Sequence, residues 1–219
     1  MQISKETVNI LKTLATINTN LLIKKGSRLS TISPQKNVVA EIDVTETFPS
    51  DFGIYDTTEW LGVLSLFTDP DIDFTDKFAT ISGNDGAIKY YAADESILVV
   101  PQKPLTFPKS DIDFTMPAGV LAQVLKTAGV IRSPDISIIG DGKNIKIVVA
   151  DMKSATSNSF NMVVGKSVET FTANLKVENL KLIPGDYDVS LSSKKISRFK
   201  HSTLPATFFI ALESTSSFV

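Results

Sequence analysis

The chain contains no cysteine, which excludes disulfides and thiolate-based metal or redox chemistry and fits a reducing compartment. It contains one histidine, His201, so imidazole catalysis has a single candidate. No G-x-S-x-G string supplies that ring with an oriented serine, as a Ser–His–Asp site requires. Set among Lys194, Lys195, Arg198 and Lys200, His201 reads as an exposed surface residue. Nucleotide-binding glycine motifs are missing too. Gly140-Asp141-Gly142 lies between two strand patterns and predicts a hairpin turn, not the helix N-terminus that cradles a phosphate. The acidic run Asp69–Asp76 begins like a calcium loop. Phe74 and Thr80, however, stand where such a loop needs glycine and glutamate, so a solvated loop entering a strand is expected, with Ile72 and Phe74 inward. These absences predict no catalytic residue, no metal and no cofactor. Apolar runs such as Ile97–Val100 are of strand length, too short to cross a bilayer, and Met1–Glu6 lacks the apolar core of a secretory leader. A soluble cytoplasmic protein with no membrane partner is expected.

What is present is an ordinary globular mixture, 42% hydrophobic and 21% charged over 219 residues, enough for one large or two small domains. The net charge of -2 conceals an asymmetry: residues 1–109 hold 10 basic against 14 acidic side chains, residues 110–219 hold 12 against 10. Neither half has the strong positive charge of a domain that wraps nucleic acid, so any such contact must come from a local stripe.

Periodicity reads as helix, strands, short helix, strands, and then the same order again. Ser4 is a plausible N-cap for a helix with Ile3, Thr7, Ile10, Leu11, Leu14 and Ile17 along one face and Lys5, Asn9, Lys12 and Thr16 turned the other way. Strands are expected at Leu21–Lys24, Arg28–Ser33, Val38–Val44 and Phe48–Tyr55, then a helix at Thr57–Phe67. Further strands follow at Ile72–Thr75, Phe78–Ser82, Ala87–Ala92 and Ile97–Val100, interrupted by Gly83-Asn84-Asp85-Gly86. Three prolines within Pro101–Pro108 favour an extended connector. Beyond it come a strand at Ile112–Thr115, a helix at Pro117–Ala128 and four strands between Asp135 and Leu175. A short helix near Val177–Leu182 and strands at Tyr187–Ser192, Lys195–His201 and Thr207–Glu213 complete the order. A repeat of about 110 residues predicts a duplicated domain, too long for a solenoid unit. The division expected is 1–100, a connector at 101–109, and 110–219.

Lys5, Lys12 and Lys126 each sit opposite an apolar helical face, and Lys181 can be placed similarly beside Asn174 and Glu178. Spacing alone reads these as a solvated face. They become phosphate-directed only if several helices line one surface.

The order of elements and several local strings resemble the sliding clamps of T-even-type bacteriophages. The strings are Ser4-Lys5-Glu6-Thr7 continuing through Leu11–Asn18, Ile54-Tyr55-Asp56 with Leu61–Leu66, Pro101–Pro108, Pro184-Gly185-Asp186-Tyr187 and Ala211-Leu212-Glu213. The resemblance implies an α+β sliding-clamp (DNA clamp) fold of two similar domains, each with antiparallel sheets outside and two helices inside, assembled as a head-to-tail homotrimeric ring. It implies a non-enzymatic clamp that encircles double-stranded DNA without reading sequence and tethers the replicative DNA polymerase. A clamp-loader ATPase would open the ring, in the cytoplasm of the infected bacterial host. Under that implication Lys5, Lys12, Lys126 and Lys181 face DNA, and Leu105 and Phe107 in the connector with Phe218 and Val219 at the tail contact partner peptides. The alternative is a β-rich virion or assembly protein without a DNA role.

Overall fold

The computed structural model describes residues 1–83, 85–154 and 156–219. The chain forms two compact units, Met1–Pro104 and Leu105–Val219. No described helix is long and apolar enough to cross a membrane.

The first unit runs α1 (Lys5–Ile17), β1 (Leu21–Ile23), β2 (Gly26–Ile32), β3 (Val38–Phe48), β4 (Phe52–Ile54), α2 (Thr57–Leu64), β5 (Asp71–Phe74), β6 (Phe78–Gly83) and β7 (Gly86–Tyr91). Within this unit, the described residues pair β1 with β4, β2 with β3, and β5, β6 and β7 in a meander, all antiparallel. The expected turn between β6 and β7 includes Asn84, which lies outside the described residues.

α1 begins where the sequence places it, because Ser4 Oγ accepts the Thr7 N–H at 3.2 Å. Glu46, reaching in from β3, takes the Ser4 N–H and the Thr7 hydroxyl, both at 2.5 Å. Burial alone would raise this carboxyl, but the bonds from Thr7 and Ser4 hold it down to about 2. A folded value below the unfolded one means the bonds stabilise the protein at neutral pH and are lost as pH falls toward the folded value. The group is only partly buried, and solvent screening limits the contribution to about 1 kcal/mol. Glu46→Gln is therefore expected to cost about 1 kcal/mol at pH 7, a deficit that shrinks as pH falls and is small only below about pH 2, measured by urea melts across that range. A deficit that stays constant with pH contradicts this account.

Trp60 of α2 is fully buried at the centre of an aromatic cluster, its ring 5.6 Å from Phe52, 6.1 Å from Phe74 and 5.1 Å from Tyr90. Burial, with Glu59 alongside, pushes the Tyr90 hydroxyl up to about 12. Ile72 and Phe74 reach this core from β5 while Asp71 and Asp73 stay exposed, so the acidic run enters a strand as expected.

Two expectations for this half need correction. The single strand at Phe48–Tyr55 is broken, since Phe48 ends β3 and β4 starts only at Phe52. Pro49 lies in the gap and has no N–H to give a ladder. Ile97–Val100 is not a strand. A 3-10 turn at Glu95–Ile97 leads into an extended segment held by side chains: Asn18 Nδ2 donates to Val99 O at 2.8 Å and Asn20 Oδ1 accepts Val99 N–H at 3.0 Å.

The second unit runs β8 (Ile112–Met116), α3 (Ala118–Ile131), β9 (Asp135–Asp141), β10 (Ile145–Ala150), β11 (Phe160–Gly165), β12 (Thr170–Lys176), β13 (Tyr187–Ser192), β14 (Ile196–His201), β15 (Ala206–Ala211) and β16 (Ser217–Phe218). One antiparallel sheet has the order β11–β10–β9–β12–β16, and β8–β13–β14–β15 pair in a second. The β9–β10 hairpin turns at Gly142, whose φ of 80° suits glycine. A Cβ on Gly140 would overlap the Phe171 ring, so this glycine makes room for core packing. Of the face Val120, Leu121, Val124, Leu125 and Ala128 that periodicity predicts for α3, Leu121, Val124 and Ala128 are buried and Val120 and Leu125 half-buried. Pro117 offers no side-chain cap; the Ala118 N–H is instead taken by Asp186 Oδ1 at 2.7 Å.

The short helix expected near Val177–Leu182 is a 3-10 turn of Val177–Asn179 without a side-chain cap. A segment stopped by Pro184 is too short to sustain an α-helix on its own. His201 is buried, not exposed, with its ring centroid 5.0 Å from that of Tyr187. Its Nδ1 accepts N–H groups from Thr203 at 3.2 Å and Leu204 at 3.1 Å, and Nε2 lies 3.3 Å from Pro184 O. The ring thus closes a turn, with both nitrogens against groups of the surrounding loop.

Candidate functional site

The site residues fall into two groups, cationic positions on helices and apolar positions near the connector and tail. On α1, Lys5, Asn9, Lys12 and Thr16 are exposed along one side. Lys5 and Lys12 are two turns apart, which stacks them on the same face. Both line an open groove of about 190 Å³ whose floor includes Val8, Leu61, Leu64 and Phe67. The exposed side of α2 adds no cation: it presents Thr58, Glu59 and Gly62, followed by Ser65 and Leu66 just beyond its end.

On α3, Lys126 is exposed among Ala122, Gln123 and Val130 in a shallow depression of about 490 Å³. Lys181 is exposed but follows the 3-10 turn in a loop, so it has no helical face. It is tied to the same body of the unit through Leu180, which joins Leu121 and Val124 of α3 in lining one interior gap. Among the described residues, Lys5, Lys12 and Lys126 enter no ion pair, whereas Lys24, Arg28, Lys146 and Lys176 do. The exposed faces of α1 and α3 are weakly cationic, with Asp69 in the wall of the α1 groove. They can attract a polyanion without fixing it in place, because diffuse phosphate contacts carry little sequence information.

The apolar candidates separate into two places. Phe218 and Val219 are not a frayed end: β16 pairs with β12, Phe218 stacks on Phe171 at 6.1 Å, and Val219 N–H donates to Thr170 O at 3.2 Å. The Val219 side chain is 93% exposed. Together they edge a cleft of about 460 Å³ shared with Lys109, Asp111, Ile112 and Ser193. Leu105 and Phe107 do not line this cleft. Phe107 is half-buried against Phe209, with ring centroids 6.3 Å apart, and the Arg198 guanidinium carbon lies 4.8 Å from its centroid. Leu105 is half-buried.

Sequence reasoning missed Lys109, Asp111 and Arg198. An alternation of Ile196, Arg198 and Lys200 on one face of β14 was a usable signal that Arg198 faces away from Phe199. Nothing in the sequence announced that an aromatic ring from the connector would cover it.

The fold is that of the DNA sliding clamps. A proliferating cell nuclear antigen (PCNA) from Thermococcus kodakaraensis superposes with a TM-score of 0.70 at 14% identity, over 95% of this chain and 96% of that one. A Helicobacter pylori beta clamp, solved with a DNA ligase peptide, gives 0.69 at 11% identity over 97% of this chain and 65% of that one. Sequence similarity narrows the class. Residues 4–100 match the family model described as DNA polymerase processivity factor. The chain is 31% identical to the sliding clamp of Vibrio phage KVP40, over 98% of this chain and all of that protein. It is 30% identical to the sliding clamp of Enterobacteria phage T4, over 99% of this chain and 98% of that protein. The chain belongs to this phage sliding-clamp family of DNA polymerase processivity factors. Its role is to serve a polymerase, not to catalyse a reaction, and nothing in these matches favours a virion or assembly protein.

Proposed function

We propose that three copies of this chain close head to tail into a ring around duplex DNA, with each unit acting as one clamp domain and residues 101–109 as the connector. The ring carries the replicative polymerase in the cytoplasm of the infected bacterial cell, and an ATP-dependent loader opens it. Supporting this reading above all is the stacked pair Lys5 and Lys12, exposed on one face of α1 and, among the described residues, in no ion pair, although Asp69 lines the same groove. Lys126 and Lys181 add charge from the second unit. A weak, salt-sensitive attraction permits sliding, while closure of the ring, not affinity, keeps the protein on DNA. Partner peptides dock on the second unit, at the cleft edged by Phe218 and Val219 and beside Leu105 and Phe107.

For closure, β7 and β11 are the suitable strands. Among the described residues each has a ladder on one side only, and each exposes an apolar side chain, Tyr91 at 69% and Val163 at 57%. Joining β7 of one copy to β11 of the next repeats one contact around a closed ring and covers both edges. Light scattering tests this. The wild type is expected near three times 23.8 kDa when concentrated and to dissociate on dilution. Tyr91→Lys or Val163→Lys should shift that dissociation to at least about tenfold higher concentration, since each puts a charge in the apolar seam. Variants that assemble like the wild type would assign the interface to other surfaces.

A further inference from the structure

Attraction to phosphates accounts for Lys5 and Lys12 but not for the groove they border. The groove holds about 190 Å³ and its floor is apolar, formed by Val8 of α1, Leu61 and Leu64 of α2, and Phe67 just beyond α2, which rests against Gly83 and Gly86. A duplex keeps the faces of its bases stacked inside and meets a passing surface with sugar and phosphate, so this floor has nothing to hold in paired DNA. Asp69, in the wall, is equally unexplained. It is exposed, and its backbone oxygen takes Gln2 Nε2 at 3.4 Å. Its carboxylate, among the described residues, has no hydrogen bond or ion pair. A bare carboxylate repels a phosphate backbone; what suits it is a hydrogen-bond donor.

Three chemistries thus meet in one groove: two cations, an apolar floor and a single acceptor. A nucleotide whose base is out of the stack carries the complement of all three. Lys5 and Lys12 are two helical turns apart, about 10 Å, and their long side chains can reach the phosphates on either side of one nucleotide. The base lays its face on Val8, Leu61 and Phe67, as unstacked bases do on the platforms of single-strand binders. An ionised carboxylate only accepts hydrogen bonds. Asp69 therefore selects a base that offers an amino group, as cytosine does, over thymine, which has a carbonyl oxygen in its place. An acidic peptide with leucine anchors would match the lysines and the floor but would meet Asp69 as a like charge.

Resting on the reading that α1 faces DNA, we propose that the α1–α2 groove of the first unit binds one unpaired, amino-bearing nucleotide of single-stranded DNA. Duplex passes over the lysines, whereas a strand end or an unpaired template seats a base between them. The site adds a preference for unpaired stretches to a surface otherwise indifferent to sequence.

The test uses the full chain and three fluorescein-labelled strands of equal length, oligo-dC, oligo-dT and an abasic strand, read by anisotropy at fixed salt. The abasic strand reports the lysines alone. The wild type is expected to bind oligo-dC at least about tenfold tighter than the abasic strand and about fivefold tighter than oligo-dT. Asp69→Asn should erase the preference for cytosine, because an amide presents a donor as well as an acceptor. The backbone there, with a φ of 47°, accepts asparagine readily. Leu61→Gln should bring both base-bearing strands to within about twofold of the abasic strand. Val8→Thr, which keeps the shape of the floor and adds a hydroxyl, should fall between wild type and Leu61→Gln and guards against a folding artefact.

Equal affinity of the wild type for the three strands, a cytosine preference that survives Asp69→Asn, or a loss in Leu61→Gln as large for the abasic strand as for oligo-dC would each overturn the proposal. So would tighter binding of acetyl-Glu-Ala-Ala-Leu-Leu-Ala-Ala-Glu amide than of oligo-dC, lost in Leu61→Gln, which would give the groove to a protein partner. Loading of the wild type onto circular duplex keeps the readings apart. Loading without any base preference among the strands removes this inference alone. Base-selective strand binding as expected, with no retention on circular duplex, removes the ring reading and leaves the nucleotide site.

Discussion

Replacing Lys5 and Lys12 together by glutamate is expected to reduce loading onto primed circular DNA by on the order of 10- to 100-fold at physiological salt. The fold and the ring should survive. Both side chains are exposed, neither is in an ion pair among the described residues, and neither lies on the strands assigned to closure. In a trimer the double substitution changes six positions at once, so a small contribution per lysine is multiplied around the hole. The salt dependence is the sharper readout. For every phosphate that is no longer neutralised, the plot of log K against log salt should flatten by roughly 0.9. The double variant should therefore bind weakly with a shallow slope, whereas the wild type falls steeply as salt rises. Loading by the variant that matches the wild type across the salt series would place these lysines on a merely solvated face.

The largest effect on stability is expected at Trp60. It is fully buried and contacts Phe52, Phe74 and Tyr90, so Trp60→Ala removes the centre of the first unit's core. Truncations of this kind cost about 3–5 kcal/mol, the loss of transfer energy adding to the cavity left behind. For a unit of this size that is a fall in melting temperature of roughly 15–30 °C. Trp60→Phe should cost far less, about 1–2 kcal/mol, because among the described residues the indole N–H has no hydrogen-bond partner to lose and most of the ring volume is kept. Calorimetry of the two variants separates packing from polarity. A Phe variant as unstable as the Ala variant would mean that the indole nitrogen matters after all.

The helices and most strands could be read directly from sequence because their buried faces obey one period each. Thr7, Ile10, Leu11, Leu14 and Ile17 fall on a helical stripe, and Ile72 with Phe74 alternates with exposed aspartates. The failures arose where tertiary contacts replace local pattern. Ile97–Val100 has the composition of a strand but takes its hydrogen bonds from Asn18 and Asn20, some 80 residues away. Val177–Leu182 has helical residues but neither length nor cap. His201 looked exposed because its chain neighbours are basic. It is buried because Tyr187 and the Pro184–Asp186 turn fold over it, a contact with no trace in local sequence. The candidate site divides in the same way. Exposed lysines opposite an apolar stripe are visible in periodicity, so Lys5, Lys12 and Lys126 could be named in advance. The pairing of Phe107 with Arg198 and Phe209 joins three distant segments and becomes visible only in the folded unit.

Topological linkage is what holds the protein on DNA in this mechanism, and the most direct measurement of it is retention on circular against linear DNA. The labelled protein is loaded with polymerase and loader onto a nicked circle, separated from free protein by gel filtration, and challenged with a single-cut restriction enzyme. A ring that encircles DNA stays on the circle in salt that abolishes simple binding and runs off once the circle is opened. Retention that ignores the cut, or that salt removes equally from circle and linear form, would contradict a closed ring and leave a protein that binds DNA only by charge.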